Sequence, residues 1–422
     1  MIEPPEAQPR SVLPDYSGRG LANVTPTVCR ILGADLDGLL PPLAEDVLPS
    51  AFLDGVDTVV LMLVDGLGYG QLQRGIEQGD TPALATIRAN VERGTAHLAA
   101  ITSVFPSATM AALASVHTGT APARHGVLGW TLFLEEFGQA TEMARWGPAD
   151  KPGVSYQDKK QGAHDPTTFL GVPTIYQRLA TAGVPSFIVN PAEYRGTALS
   201  RMLFNGAEEV WFRAGSGLGV NLERVLEGPS RGARRMIYGY YPGLDTTAHL
   251  FGPHSLEHRA EIAGFDFILG RWLGRARGDE RTLILLTADH GHVFTPPAHT
   301  VYVDQPADLI RRLRCPPTGE RRMLYLHPRE SGDQELRAQV ERLWGHAADL
   351  VPSAQALEQG WFGPGEVSDA ARRRAGELLV IPRDDWQLTY SARPDRPVKA
   401  FSGNHGALDP AEMLVPLLAW RI

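Results

Sequence analysis

The run Val56–Val64 (VDTVVLMLV) is short, rich in β-branched residues and apolar from Val59 onward, and it stops at Asp65-Gly66. A strand that is apolar on both faces must be covered on both faces, which suits the centre of a parallel sheet. Ser186–Asn190, Met236–Tyr241 and Thr282–Thr287 also read as strands, and helix-like stretches such as Thr174–Ala182 and Leu256–Ala276 lie between them. Alternation of this kind predicts an α/β fold, a doubly wound and mostly parallel sheet sandwiched by helices. Ala96–Ile101 is a further candidate strand, and Thr102–Ala108 is a loop of small and turn-forming residues. The Ala and Leu content of Thr109–Val116 then favours a helix, so Thr109 falls near a helix start.

The texture changes after about Asp304. A helix-like Asp333–Trp344 stands among strand-like Met323–His327 and Leu378–Pro382 with turn-rich joins, and the chain returns through Phe401–Leu408 to a last apolar strand, Leu414–Trp420. This predicts a core of residues 1–303 and 400–422 that carries an inserted cap lobe, 304–399. The first fifty residues are rich in Pro and small residues; Leu13-Pro14-Asp15-Tyr16 reads as a surface lead, with a weak helix around Thr27–Leu32. With 422 residues and 43% hydrophobic content the chain can bury a large core. Only Cys29 and Cys315 are present, which excludes a disulfide scaffold. The opening Met1-Ile2-Glu3-Pro4-Pro5-Glu6 lacks the layout of a signal peptide and no apolar run suits a membrane span, so a cytoplasmic protein without membrane contact is expected. The formal charge of −8 argues against a nucleic-acid polymer as partner. An anionic substrate would need local positive charge, which a metal site supplies.

In open α/β sheets ligands bind beyond the carboxyl ends of the strands. Asp65 follows the first strand, Asp245 comes shortly after Met236–Tyr241, and Asp289-His290 follows Thr282–Thr287. Asp245-Thr246-Thr247-Ala248-His249 would put a carboxylate and an imidazole on one face of a helical turn, a common oxygen and nitrogen ligand set for zinc. Asp289-His290-Gly291-His292 and Asn404-His405-Gly406 add further imidazoles in glycine-bearing loops. Any one of these reads as a turn residue or a satisfied polar group. Three carboxylates and three imidazoles at strand ends read together as a metal site. Thr109 is the candidate nucleophile. Helix capping is the competing role for a Thr at this place, but the N–H groups of a helix start can hold an anionic oxygen, and a metal can activate a hydroxyl.

Asp65-Gly66, Thr109 through Thr118-Gly119, His125-Gly126, Asp245-x-x-x-His249, Asp289-His290-Gly291 and Asn404-His405-Gly406 together resemble the alkaline phosphatase superfamily, most closely its nucleotide pyrophosphatase/phosphodiesterase branch. That branch places its nucleophile ten residues before the Gly of a Thr-Gly pair, which here is Thr109. The resemblance implies two zinc ions, with manganese the alternative. Asp245, His249 and His405 would hold one; Asp65, Asp289 and His290 would hold the other, with Thr109 as its reactive ligand. It further implies hydrolysis of a small anionic phosphoester through a phospho-threonine, with a diester or pyrophosphate preferred. The same metal core also serves phosphomonoesterases and phosphonate hydrolases, while a metal-stabilised binding protein with an inactive core is the non-enzymatic alternative. Neither Cys29 nor Cys315 has the setting of a sulfatase nucleophile, and the mutases that share the core normally use Ser and manganese.

Two positions depart from the nucleotide branch. Met110 follows the nucleophile where an aromatic often stands, and the position of a phosphoryl-binding Asn falls at about Trp130. Trp130, Phe133 and Trp146 are then candidates for an apolar wall, with plain core packing as the alternative. Arg124, Arg145, Lys159 and Lys160 are candidate phosphate-binding cations, with a solvated face as the alternative. His292 is expected to orient a ligand, and His117 and His125 to be structural.

Overall fold

The computed structural model describes residues 11–157, 164–276, 280–304, 306–391 and 399–422. Thr58–Val64 is buried at every position, and parallel neighbours flank it on both sides: Arg235–Tyr241 and Thr282–Thr287. The order across this seven-stranded sheet is Ala96–Thr102, Leu414–Arg421, Thr282–Thr287, Thr58–Val64, Arg235–Tyr241, Ser186–Pro191 and Glu208–Phe212. Leu414–Arg421 runs antiparallel to both of its neighbours, and the other pairings are parallel. Helices such as Leu256–Leu273, Thr109–Thr118 and Ser216–Leu226 bury their apolar residues in the core, as a parallel sheet requires. Arg235 opens a core strand despite its charge because its guanidinium reaches the Val225 and Leu226 carbonyls, at 2.9 and 2.7 Å, at the end of the Ser216–Leu226 helix.

The register sets up the site. Val64 pairs with Tyr241, and Leu63 with Thr287, so three adjacent strands end almost level. The segments that carry Asp65, Asp245 and Asp289 therefore leave the sheet side by side.

A second seven-stranded sheet is antiparallel throughout. Its order is Ala348–Pro352, Leu378–Pro382, Met323–Leu326, Thr318–Glu320, Thr131–Leu134, Gln139–Glu142 and Gly147–Pro148. It thus joins strands of the 304–399 segment to three strands from 131–148, across a bridge between Gly319 and Thr131. A small core of its own, including Leu324, Leu326, Val340, Trp344 and Val380, lies beneath it. Among the described residues no helix is long and apolar enough to cross a membrane.

Candidate active site

The three strand-end carboxylates interlock through their backbones. Asp65 N–H donates to Tyr241 O at 2.9 Å, and Asp245 N–H donates to Asp65 O at 3.1 Å. Asp289 Oδ1 accepts the N–H groups of Gly66 and His290, both at 3.0 Å. Gly66 is required at the crossing: its φ is +78°, and a Cβ there would lie 2.6 Å from the His292 ring.

Two clusters of ligand atoms result. Asp65, Asp289 and His290 form one, and Asp245, His249, His292 and His405 the other; within each, the atoms lie within 4.8 Å of one another. The rings of His290 and His405 stack at 3.5 Å, so the clusters adjoin. The imidazoles are oriented from behind. His249 Nδ1 lies 2.7 Å from Gly403 O, His405 Nδ1 2.9 Å from Ser107 O, and His290 Nδ1 3.1 Å from Gly291 O. With protons on those Nδ1 atoms, a tautomer assigned from the partners, each Nε2 presents a lone pair to the centre. His292 differs, since its Nε2 lies 3.1 Å from Asp245 Oδ1, where it can donate to that carboxylate.

The charge pattern fits cations. Asp65 Oδ1 and Asp289 Oδ2 are buried and have no hydrogen-bond partner. Burial, and then the charges of Asp289 and Asp245, push the Asp65 carboxyl well above the usual range. Burial also opposes ionisation of Asp245, but His249 and His292 outweigh it and hold that carboxyl well below the usual range. Bare buried carboxylate oxygens facing imidazole lone pairs make a donor set suited to zinc.

Thr109 is the first residue of its helix, and the N-cap position belongs to Ala108. The capping role is therefore not the one Thr109 plays. Its Oγ1 lies 3.0 Å from His290 Nε2, in front of the helix N-terminus.

A cavity of about 860 Å³ opens over Thr109 and the second cluster, lined on the core side by Thr109, Asp245, His249 and His405. The second sheet and its strand ends supply the facing wall, which includes Trp130, Glu320 and Arg321. Glu320 Oε1 accepts the Trp130 N–H, and burial pushes its carboxyl up to about 8 against that hydrogen bond. The Arg321 guanidinium lies 3.8 Å over the Phe401 ring, which packs on His249 at 4.8 Å. Burial lowers Arg321 to about 10, which leaves it charged at neutral pH, and among the described residues no carboxylate lies within salt-bridge distance of it.

The structure thus brings Asp65, Thr109, Asp245, His249, Asp289, His290 and His405 together. Of the three candidate wall aromatics only Trp130 lines the cavity. Phe133 is buried against His327, and Trp146 is buried in the main core among Phe137, Tyr156 and Phe169. Arg124 pairs with Glu366 and Arg145 with Glu142, and neither lines the cavity. Lys159 and Lys160 lie outside the described residues. His117 and His125 are buried, and burial lowers both to about 3. Sequence reasoning missed Glu320 and Arg321 because three consecutive charges, Glu320-Arg321-Arg322, look like a solvated turn.

This sheet order and these strand-end clusters define an alkaline phosphatase-like protein. Residues 59–408 match the family described as type I phosphodiesterase / nucleotide pyrophosphatase, and the chain belongs to that family. An uncharacterized pyrophosphatase/phosphodiesterase of Schizosaccharomyces pombe is 24% identical over 253 residues, 58% of this chain and 47% of that protein. The chain thus spans about half the length of the curated relative it matches. Human ectonucleotide pyrophosphatase / phosphodiesterase 5 superposes with a TM-score of 0.63 at 16% identity, covering 86% of this chain and 87% of that one. Phosphonoacetate hydrolase from Sinorhizobium meliloti, solved with phosphonoacetate, gives 0.62 at 20% identity, covering 86% and 89%. These likenesses are of fold.

Proposed function

We propose that the chain is a two-metal phosphoryl-ester hydrolase that uses Thr109 as its nucleophile. The observation that carries this reading is the placement of Thr109 Oγ1 at a helix N-terminus, 3.0 Å from His290 Nε2, beside the cluster whose Asp65 and Asp289 keep bare carboxylate oxygens. Asp65, Asp289 and His290 would hold one zinc, and Asp245, His249 and His405 the other. Bound there, the ions would supply Lewis acidity, lowering the pKa of the Thr109 hydroxyl and balancing the charge that builds up at phosphorus.

The chain's own groups do the rest. N–H groups of the first turn after Ala108 face the phosphoryl oxygens, and the backbone anchors on His249, His290 and His405 keep the site rigid as charge moves. Attack by Thr109 Oγ forms a bond to phosphorus as the bond to the leaving oxygen breaks, and water then hydrolyses the phospho-threonine. Support also comes from a murine ectonucleotide pyrophosphatase / phosphodiesterase 5, solved in complex with AMP as an inactive variant with threonine changed to alanine.

A small phosphodiester is the preferred substrate, because among the described residues no cation beyond the clusters sits at Thr109 to meet the second charge of a monoester. One observation favours a second reading, a phosphonate with an additional anionic group: Arg321, which donates to Gln387 Oε1 and Lys399 O, places a cation in the wall beside His249. Rates on an aryl phosphodiester, the matching monoester and a carboxylated phosphonate decide between these. Higher efficiency on the diester is expected, and a clear monoester preference would overturn that preference.

A further inference from the structure

We infer that Arg322 and Glu412 are positioning residues, a buried ion pair that fixes the cavity edge of the second sheet to the loops carrying His290 and His405. The inference rests on the proposed hydrolase reading, in which those loops hold the metals. Arg322 is 1% exposed and Glu412 0%, so neither charge is there for solubility. Arg322 Nε and Nη2 both donate to Glu412 Oε1, at 3.0 and 2.7 Å. Its remaining arm, Nη1, donates to the carbonyls of Asp384 and Trp386, both at 2.7 Å. One guanidinium thereby ties a loop of the second-sheet segment to the core.

Glu412 is occupied on its other side by the histidine loops. Its Oε2 accepts the Ala407 N–H at 2.8 Å, two residues after His405, and its carbonyl accepts the Gly291 N–H at 2.8 Å, directly after His290. Ser107, two residues before Thr109, completes the knot. Its Oγ donates to Ala407 O at 2.7 Å and accepts the Gly406 N–H at 3.2 Å. Gly406 has φ +127°, and a Cβ there would meet the Glu320 Cβ at 2.9 Å and the Arg322 Cβ at 3.5 Å, so this glycine lets the two parts close on each other. The triplet Glu320-Arg321-Arg322 then has a division of labour: the first two side chains form the cavity wall, and the third sets the wall against the centre.

Replacing a pair that served stability alone with apolar side chains of similar volume would change the melting temperature and leave the metal site intact, whereas replacing a pair that aims ligands would weaken metal binding as well. The test is the double variant Arg322→Met/Glu412→Leu in the full-length protein, compared with wild type for melting temperature, zinc affinity by chelator competition, kcat and KM on an aryl phosphodiester. We expect a lowered melting temperature, because the Asp384 and Trp386 carbonyls and the Ala407 N–H lose their partners, together with zinc affinity lowered about tenfold or more and kcat reduced with KM little changed. Wild-type zinc affinity and kcat in the double variant would overturn the inference. Should that variant fail to fold, Glu412→Gln, which keeps the shape and an acceptor for one neighbour, carries the same test, and unchanged zinc affinity there overturns the inference equally. If wild type itself takes up no metal and hydrolyses nothing, the hydrolase reading falls instead.

Discussion

The two sheets meet at one cavity but contribute to it in different ways. The parallel sheet delivers every candidate metal ligand from segments at the ends of buried strands or from loops packed on them, and its hydrogen-bond register brings those ends level. The antiparallel sheet delivers no such ligand. It contributes a wall through Trp130, Glu320 and Arg321, held to the core by the Arg322–Glu412 pair. Groups that converge within a few ångströms sit at the ends of fully buried strands, and the facing wall lies on a separate surface that can vary without disturbing them.

If that division is right, removing metal should strike the first region hardest. Exhaustive chelation is expected to abolish hydrolysis and to lower the melting temperature, because an ion that binds only the folded state stabilises it. Added zinc should restore both. Metal-free protein that remains fully active would break the comparison at its root. Next in size is Thr109→Ala, expected to reduce kcat by about a thousandfold or more. Thr109→Ser should keep part of the rate. Since Ala108 holds the N-cap position, the Ala variant should melt close to wild type and retain metal. An active Thr109→Ala enzyme would return Thr109 to a structural role.

The same contrast explains what could be read from the sequence. Val59–Val64 and Thr282–Thr287 announce themselves as unbroken apolar runs with sharp ends, and Asp65 and Asp289 lie just past those ends. A parallel strand buried on both faces leaves that signature, so the core and its seven candidate residues were legible together. The second sheet leaves a fainter one. Thr318–Glu320 has three residues and Gly147–Pro148 two, too few to show alternation, and Thr131 meets Gly319 only through tertiary contact. Glu208–Phe212 was missed in the core for a related reason: as an edge strand it opens with two acidic residues and is only partly buried. Arg322 and Glu412 carried no local signal, because a buried ion pair looks in sequence like two surface charges.

Arg321 probes the wall. Its loss should leave an aryl phosphodiester with a neutral leaving group nearly unaffected. For a leaving group that bears a carboxylate or phosphate it should raise KM by about ten- to a hundredfold, the worth of a hydrogen bond to a charged group. Arg321→Lys should recover part of the difference. Equal losses on both substrates would mean that Arg321 supports the fold rather than selectivity, and the assignment of the wall to substrate choice would fail.

The smallest effect separates the two regions by acid. His117 lies in the parallel-sheet core against Tyr176, Phe204 and Tyr238, and burial lowers it to about 3. His327 lies under the second sheet against Phe133, where burial and then Arg314 lower it to about 4. Both are neutral when folded and take up a proton on unfolding once the pH drops below the ordinary value near 6.5. Each therefore contributes nothing unfavourable above 6.5, and stability is lost as pH falls from there towards the folded value, at no more than about 1.4 kcal/mol per pH unit per histidine. His327 should stop adding to the loss near pH 4, while His117 continues towards 3. Phenylalanine at either position removes the proton uptake, so urea midpoints of His117→Phe and His327→Phe at fixed ionic strength should fall less steeply than wild type between pH 7 and 4, and only the His117 variant should still differ in slope below 4. A wild-type slope in His117→Phe would show that this imidazole is already protonated in the folded core, which its packing among three aromatic rings and the bare Nε2 argue against.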